Sequence, residues 1–556
     1  MQAGIGHTLN MYRFLGTALA TVIFSTSCAT RHADFEERLD QLLAEEPDDP
    51  DVLFLHHNSR NLPLCSRLAD LRPEPVVLAS VVSAYLSGMS DEHLPEFDRL
   101  LALWRKRDAD NAMPFVVKGL VEVMRGKLQD GVATIVGASR LPVLRTYASE
   151  TIQEAWRLQR KFGLGDIISM GAVFRFTSVT LAMAQINASR LLEPLSFEKQ
   201  LRGDLLEALR LAEADCRLWT LFEESSRGDM ESALVSEKLP WVAARLCELQ
   251  LMTDDEKSAE RIAEIARRSW REHRYLERAR KLVILDDPMA RLMKAAGLIK
   301  SKPSNSRGES DVWQELIALC ESFKSKEFWN RYYDLLRKNE PTIRPYLESQ
   351  ISSGNREYLL GTLTEIDRRE IASLKPPIDR FWEARAEFYP RRLSSEQMGR
   401  LIDLMTTSGD TEAAEFDQVR AFHALVRWAD ASTLPKLRAL LEDEEGIVNP
   451  RVVVILTSVG DRSPRLREAA ARAVNSDDGF YPGTCWAAAR LGLTEAIPQL
   501  VEDLVLETSW RRVSSARDLA LPAYLALRDL TKQEFEFEAN SWREWAEKNG
   551  FWKVDD

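Results

Sequence analysis

Three segments in the last third of the chain share one opening. They are "TLPKLRALLED" from Thr433, "SPRLREAAARAV" from Ser463 and "AIPQLVEDLVLE" from Ala496, each with a proline beside the start of an amphipathic run. Their starts lie 30 and 33 residues apart. Proline in the first helical turn loses nothing, because the first N–H groups of a helix have no intrahelical partner. It does prevent the run from fusing with the helix before it. Recurrence at such an interval confines the region to short helices stacked in pairs, each pair covering the apolar face its neighbour leaves open.

Composition extends this reading to the whole chain of 556 residues. Glycine (25) and proline (23) are scarce for this length while Leu, Ala, Glu and Arg are abundant, which favours helix over sheet. One hydrophobic core is implausible at this size. A net charge of −12 and a pI of about 5.4 argue against general affinity for nucleic acid or anionic membrane surfaces.

The periodicity is helical from Asp34 onward. Phe35, Leu39, Leu42 and Leu43 share one face, Pro47 ends that helix, and Asp49-Pro50 supplies an N-cap followed by proline at the first helical position. "FVVKGLVEVMRGKLQDGVATIVGASRLP" (Phe115–Pro142) resembles one tetratricopeptide repeat, with Gly119, Gly126, Gly131, Ile135 and Ala138 at the small, turning and packing positions. "CWAAARLGLTEAIPQLVEDLV" (Cys485–Val505) resembles the short HEAT-type repeats of bacterial proteins. These resemblances imply an all-α helical-hairpin solenoid, tetratricopeptide-like over 28–300 and HEAT-like over 391–556. "SKPSNSRGES" (301–310), without an apolar residue, reads as a linker, and 311–390 as an aromatic-rich helical segment. Capping boxes are expected at Ser394/Gln397 and Ser541/Glu544. Trp542 and Trp545, on a helix stopped by Asn549-Gly550, are expected to cover the end of the last repeat.

The N-terminus carries an address. Arg13 precedes an apolar run from Phe14 to Phe24, and the run ends in "TVIFSTSC". Residues 1–27 read as a signal peptide whose apolar run is too short to span a bilayer. Thr26-Ser27-Cys28 resembles the lipobox of bacterial lipoproteins, which implies acylation of Cys28 and a membrane-anchored protein at the cell envelope, facing the periplasm. The alternative is a soluble secreted or periplasmic protein. The longest later apolar run, Ile167 to Ile186, contains Arg175 and Gln185 and reads as a buried helix or helix pair.

Chemistry-bearing motifs are missing from the sequence: it has no phosphate-binding glycine loop, no H-E-x-x-H, no G-x-S-x-G and no dinucleotide fingerprint. Cys65, Cys216, Cys247, Cys320 and Cys485 form no C-x-x-C pair and read as buried thiols. Adjacent helical histidines point about 100° apart, so His56-His57 is expected to stabilise a turn rather than hold a metal. The stretch Arg267–Lys281, "RRSWREHRYLERARK", alternates arginine with glutamate and reads as a solvated helix face, not a nucleic-acid site. No catalytic, cofactor or metal residue is therefore assigned. The expected function is that of a scaffold binding other proteins, against an enzyme built from scattered residues or a purely structural envelope component. HEAT-type resemblance places second helices on an inner curve, where Arg420, Arg427, Arg490 and Arg517 would form an exposed strip for an acidic or carboxylate-bearing segment. His423, on an apolar face, is expected in the core.

Overall fold

The computed structural model describes residues 33–57, 61–88, 91–164, 179–225, 229–286, 337–341, 343–345, 360–388, 394–406, 412–443, 446–474, 482–507, 521–533 and 539–551, with single positions at 334, 348 and 535. The signal segment, Cys28, the 301–310 linker, Cys320, Arg517 and much of 311–390 lie outside them. Every described element is a helix apart from two isolated bridges, so the all-α expectation holds.

The first helices are α1 (Ala33–Glu45), α2 (Pro50–His56), α3 (Leu62–Leu71), α4 (Pro75–Gly88), α5 (Leu94–Arg107), α6 (Met113–Met124), α7 (Leu128–Ala138) and α8 (Ala148–Lys161). Asp49 caps α2 as expected, accepting from the Asp51 and Val52 amides at 2.6 and 3.2 Å. The α6–α7 hairpin shows why its glycines are where they are. A Cβ on Gly119 would stand 2.5 Å from Ile135 Cγ1 and 2.7 Å from the Gly131 carbonyl oxygen. One on Gly131 would stand 2.5 Å from the Gly119 carbonyl oxygen. Backbone meets backbone there, and Gly126 makes the turn at φ +79°.

Four longer helices follow: α9 (Val179–Leu201), α10 (Leu205–Ser225), α11 (Asp229–Met252) and α12 (Glu256–Asp286). Each packs against the next, and α9 also packs on α6 and α4. In the α9–α10 hairpin the Ser196 hydroxyl donates to the Ala208 carbonyl at 2.7 Å, and the Ser189 hydroxyl to Asp215 Oδ2 at 2.9 Å. Burial pushes the Asp215 carboxyl up to about 8.

Next come α13 (Glu365–Ser373), α14 (Pro377–Phe388), α15 (Ser395–Thr406), α16 (Glu412–Trp428), α17 (Leu434–Ala439), α18 (Pro450–Val459), α19 (Pro464–Val474), α20 (Pro482–Leu491), α21 (Ile497–Glu507), α22 (Leu521–Thr531) and α23 (Ala539–Lys548). From α17 to α22 every helix has proline at its first or second position. The pairs α15–α16, α17–α18, α19–α20 and α21–α22 stack so that α16, α18, α20 and α22 pack in a row. The Ser394/Gln397 capping box forms in both directions, at 2.9 and 3.2 Å. Arginines stitch neighbouring pairs: Arg438 grips Asp461 with two bonds (2.9 and 2.8 Å), and Arg462 reaches the Arg490 carbonyl at 2.5 Å.

The C-terminal helix departs from expectation in one detail. It starts at Ala539, so Ser541 lies inside it rather than at its cap. Trp542 is fully buried, edge-on to Tyr524 and Phe535, while the half-buried Trp545 stacks on Phe551 at 5.6 Å. Gly550 at φ +75° ends the helix, with the Phe551 amide donating back to Ala546 at 2.9 Å.

Candidate functional site

The row formed by α16, α18, α20 and α22 is the face on which the sequence placed an open groove. In the structure α9 and α11 of the same chain lie against it. Pro194, Phe197, Glu198 and Leu201 of α9 face Trp486 and Ala489 of α20 and Pro522, Leu525, Ala526 and Asp529 of α22, around a gap of about 20 Å³. That is room for about one water. Arg202, just past α9, pairs with Glu198 at 2.5 Å and with Asp529. Burial raises the Glu198 carboxyl above its ordinary value.

At the other end of this contact, α11 contributes Glu248, which is 0% exposed. Its position in "ARLCELQL", between Cys247 and Leu249, turns it inward with the apolar residues of the helix. Arg420 Nη1 of α16 lies 2.7 Å from Glu248 Oε2, and His423 Nδ1 lies 2.9 Å from the same oxygen. Arg245, one turn before Glu248, approaches it at 3.5 Å and donates to Gln200 Oε1 of α9. Phe197 closes the set, 5.6 Å from the His423 ring and 5.7 Å from the Arg245 guanidinium.

The electrostatics follow from this crowding. Burial alone would raise the Glu248 carboxyl, but Arg420 and His423 bring it below its ordinary value. Burial pushes His423 down to about 4, against the pull of Glu248. At neutral pH the imidazole is therefore uncharged, and its Nδ1 carries the proton that it donates to the carboxylate. One carboxylate then faces two guanidiniums in a dry interior. Such a group is costly to desolvate and more costly to leave half-paired. The pairing of His423 with Glu248 is buried where α9, α11 and α16 meet. As folded, it is a joint between the two halves of the chain.

The expected arginine strip is thus corrected. Arg420 is buried, and the acidic partner it finds is Glu248 of its own chain. Arg427 and Arg490 are exposed, Arg427 lying over the Trp428 ring at 5.0 Å. His423 is in the core as expected, though as a polar member of it. Sequence reasoning missed Arg245 and Glu248. The available signal was two opposite charges three residues apart inside an apolar stripe.

The histidine pair is used locally. His57 Nδ1 lies 2.5 Å from the Phe54 carbonyl and Nε2 2.5 Å from the Ser80 hydroxyl, while His56 lies 4.0 Å from Asp40. Among the described residues no cluster of three or more His, Cys, Asp or Glu could hold a metal ion. Cys65, Cys216, Cys247 and Cys485 are buried free thiols.

The basic stretch of α12 is only partly a solvated face. Arg267 pairs with Glu264 at 3.1 Å and Arg274 with Glu277 at 2.8 Å along the helix. Arg267 also reaches Asp379 of α14 at 2.5 Å, Arg268 reaches Glu223 of α10 at 2.5 Å, and Arg278 reaches Asp367 of α13 at 2.9 Å. These arginines fasten α12 to three neighbouring helices.

No protein-family model matches the chain, and neither a curated protein nor a solved structure matches it. Among the described residues no helix is long and apolar enough to cross a membrane.

Proposed function

We propose that the chain is an exported helical-repeat scaffold, anchored through lipid on Cys28, that binds other proteins at the cell envelope. The observation that supports it is the ordered stacking of helix pairs, each against the next in sequence. Such stacking presents side chains over a long surface, of which α9 and α11 of the same chain cover part of the row formed by α16, α18, α20 and α22. The anchor rests on the apolar run that ends in Thr26-Ser27-Cys28. A single acyl chain binds membranes only marginally, so the multiple acylation that a lipobox implies would be needed for a lasting tether.

Cross-linking in intact cells, followed by purification of the full chain and mass spectrometry, tests the binding reading. Reproducible partners absent from a mock purification support it, and recovery of the chain alone overturns it. Labelled fatty acid should enter the wild-type protein and not Cys28→Ser, which should move to the soluble fraction. Wild type without label overturns the anchor.

A further inference from the structure

Between α12 and the chain at Leu360 and Arg368 lies a cleft of about 400 Å³. One wall is a stripe of α12: Arg261, Ile265, Arg268, Arg271 and Tyr275, with Glu264 and Glu272 beside them. These positions recur at intervals of three and four residues, which is one helix face. At 1.5 Å per residue the stripe from Arg261 to Tyr275 runs for about 21 Å. The cleft is therefore long rather than round. A span of about 21 Å fits roughly six residues of extended chain at about 3.4 Å each.

The charge of the lining is opposite to that of the protein. Four arginines and two glutamates line it, on a chain whose net charge is −12. Glu264 is drawn away by Arg267 at 3.1 Å, and Arg268 is held by Glu223. Arg261 donates to the Ser258 hydroxyl at 2.8 Å and Arg368 to the Leu360 carbonyl at 2.5 Å, neutral acceptors that leave both cations without a countercharge in those contacts. Arg271 has a buried Nε without a hydrogen-bond partner. A buried N–H in that state gains from any acceptor brought to it. Ile265, Leu360 and the Tyr275 ring supply apolar surface between the charges.

We propose that this cleft receives an extended acidic segment of a partner protein, its carboxylates taken by Arg261, Arg271 and Arg368 and its backbone lying along the α12 stripe. The inference rests on the protein-binding reading above and gives the partner its chemistry. Guanidinium forks match carboxylates in pairs of hydrogen bonds, and a groove of one sign on a protein of the other selects for charge pattern.

The test uses the full mature chain with rhodamine-labelled hexaglutamate and hexalysine, read by fluorescence anisotropy. Hexaglutamate should bind and hexalysine should not, and raising salt from about 0.05 to 0.5 M should weaken binding at least tenfold. Arg261→Glu/Arg368→Glu, at two exposed positions, should lose at least tenfold in affinity with an unchanged circular dichroism melt. Arg427→Glu/Arg490→Glu should bind like wild type. Absence of hexaglutamate binding, equal binding by both double variants, or full displacement by inorganic phosphate at matched ionic strength overturns the proposal. Cross-linked partners that persist in Arg261→Glu/Arg368→Glu would overturn the cleft as the docking site and leave the scaffold standing. Peptide binding through the cleft without any captured partner would overturn the scaffold instead.

Discussion

The α6–α7 hairpin and the joint between α11 and α16 are both close contacts between helices, made by opposite means. In the hairpin, Gly119 and Gly131 remove side chains so that backbones touch, and the partners are 12 residues apart in sequence. In the joint, polar side chains meet around Glu248 from as far as 175 residues away from it. The first contact is specified by what is missing and fails by crowding. The second is specified by charge balance and fails when one partner is removed. A fault in the hairpin is expected to stay local, whereas a fault in the joint is expected to loosen the contact of α9 and α11 with α16.

Glu248→Ala should produce the largest effect. It leaves Arg245 and Arg420 facing each other in a dry interior, and breaking a buried pair in this way costs about 3–5 kcal/mol. Hydrogen exchange should show protection lost in α9, α11 and α16 together, while α6–α7 stays protected. Joining Arg420→Met to Glu248→Met should recover part of the loss, since an apolar replacement of both partners avoids the unpaired charge. Uniform loss across the chain would erase the distinction between the two contacts.

Gly131→Val comes next. Its side chain would enter space held by the Gly119 carbonyl and Val123, and overpacking of this kind costs about 1–3 kcal/mol. Faster exchange should be confined to α6, α7 and the adjoining α9, with the joint intact.

A smaller effect separates the contacts by pH. His423 titrates near 4 in the folded chain against an ordinary 6.5, so between these values the unfolded chain takes up a proton that the folded chain refuses. Its contribution is fully present above about 6.5 and is lost as pH falls towards 4. His423→Gln keeps a donor for Glu248 and removes the titration. The melting temperature of wild type should fall more steeply than that of the variant across this window. Asp215, raised to about 8, works in the opposite sense, its stabilisation growing as pH drops below that value, and it is common to both proteins. Parallel profiles would show that His423 does not titrate within the joint.

The smallest effect is expected at the two arginines that remain outside. Arg427→Ala and Arg490→Ala should each change stability by less than about 0.5 kcal/mol, measured by thermal melting. A larger loss at either would mean that the inner row depends on its surface charges as well as on Glu248.

What could be read in advance follows the same division. The Ser394/Gln397 cap, the Asp49-Pro50 helix start, the Gly126 turn and the Gly119–Gly131 approach depend on residues within about a dozen positions of one another, and the sequence displays them directly. The proline-opened helices α17, α19 and α21 were legible for the same reason, whereas the prolines that also open their partners α18, α20 and α22 were not singled out. The start of α23 at Ala539 was missed because a serine and a glutamate three residues apart also occur inside helices, where solvent satisfies them. The joint was illegible for a different reason. Arg420 reads as a surface residue with Asp417 three positions before it as an ordinary helix-face neighbour, and nothing near it in sequence points to Glu248. The resemblance to HEAT-type repeats directed attention to the row of second helices but not to the fact that α9 and α11 lie against it.

The distance between Glu248 and His423 also sets a timetable. At about 5–20 residues per second, the 175 residues between them take roughly 10–35 s to synthesise. For that interval α11 exists without α16, displaying a carboxylate and a guanidinium on a face otherwise made of Cys247, Leu246 and Leu249. Those charges keep the waiting face soluble and give a newborn neighbouring chain a poor surface to adhere to. Glu248, which later binds the halves together through Arg420 and His423, has only Arg245 of its own helix as a countercharge while it waits.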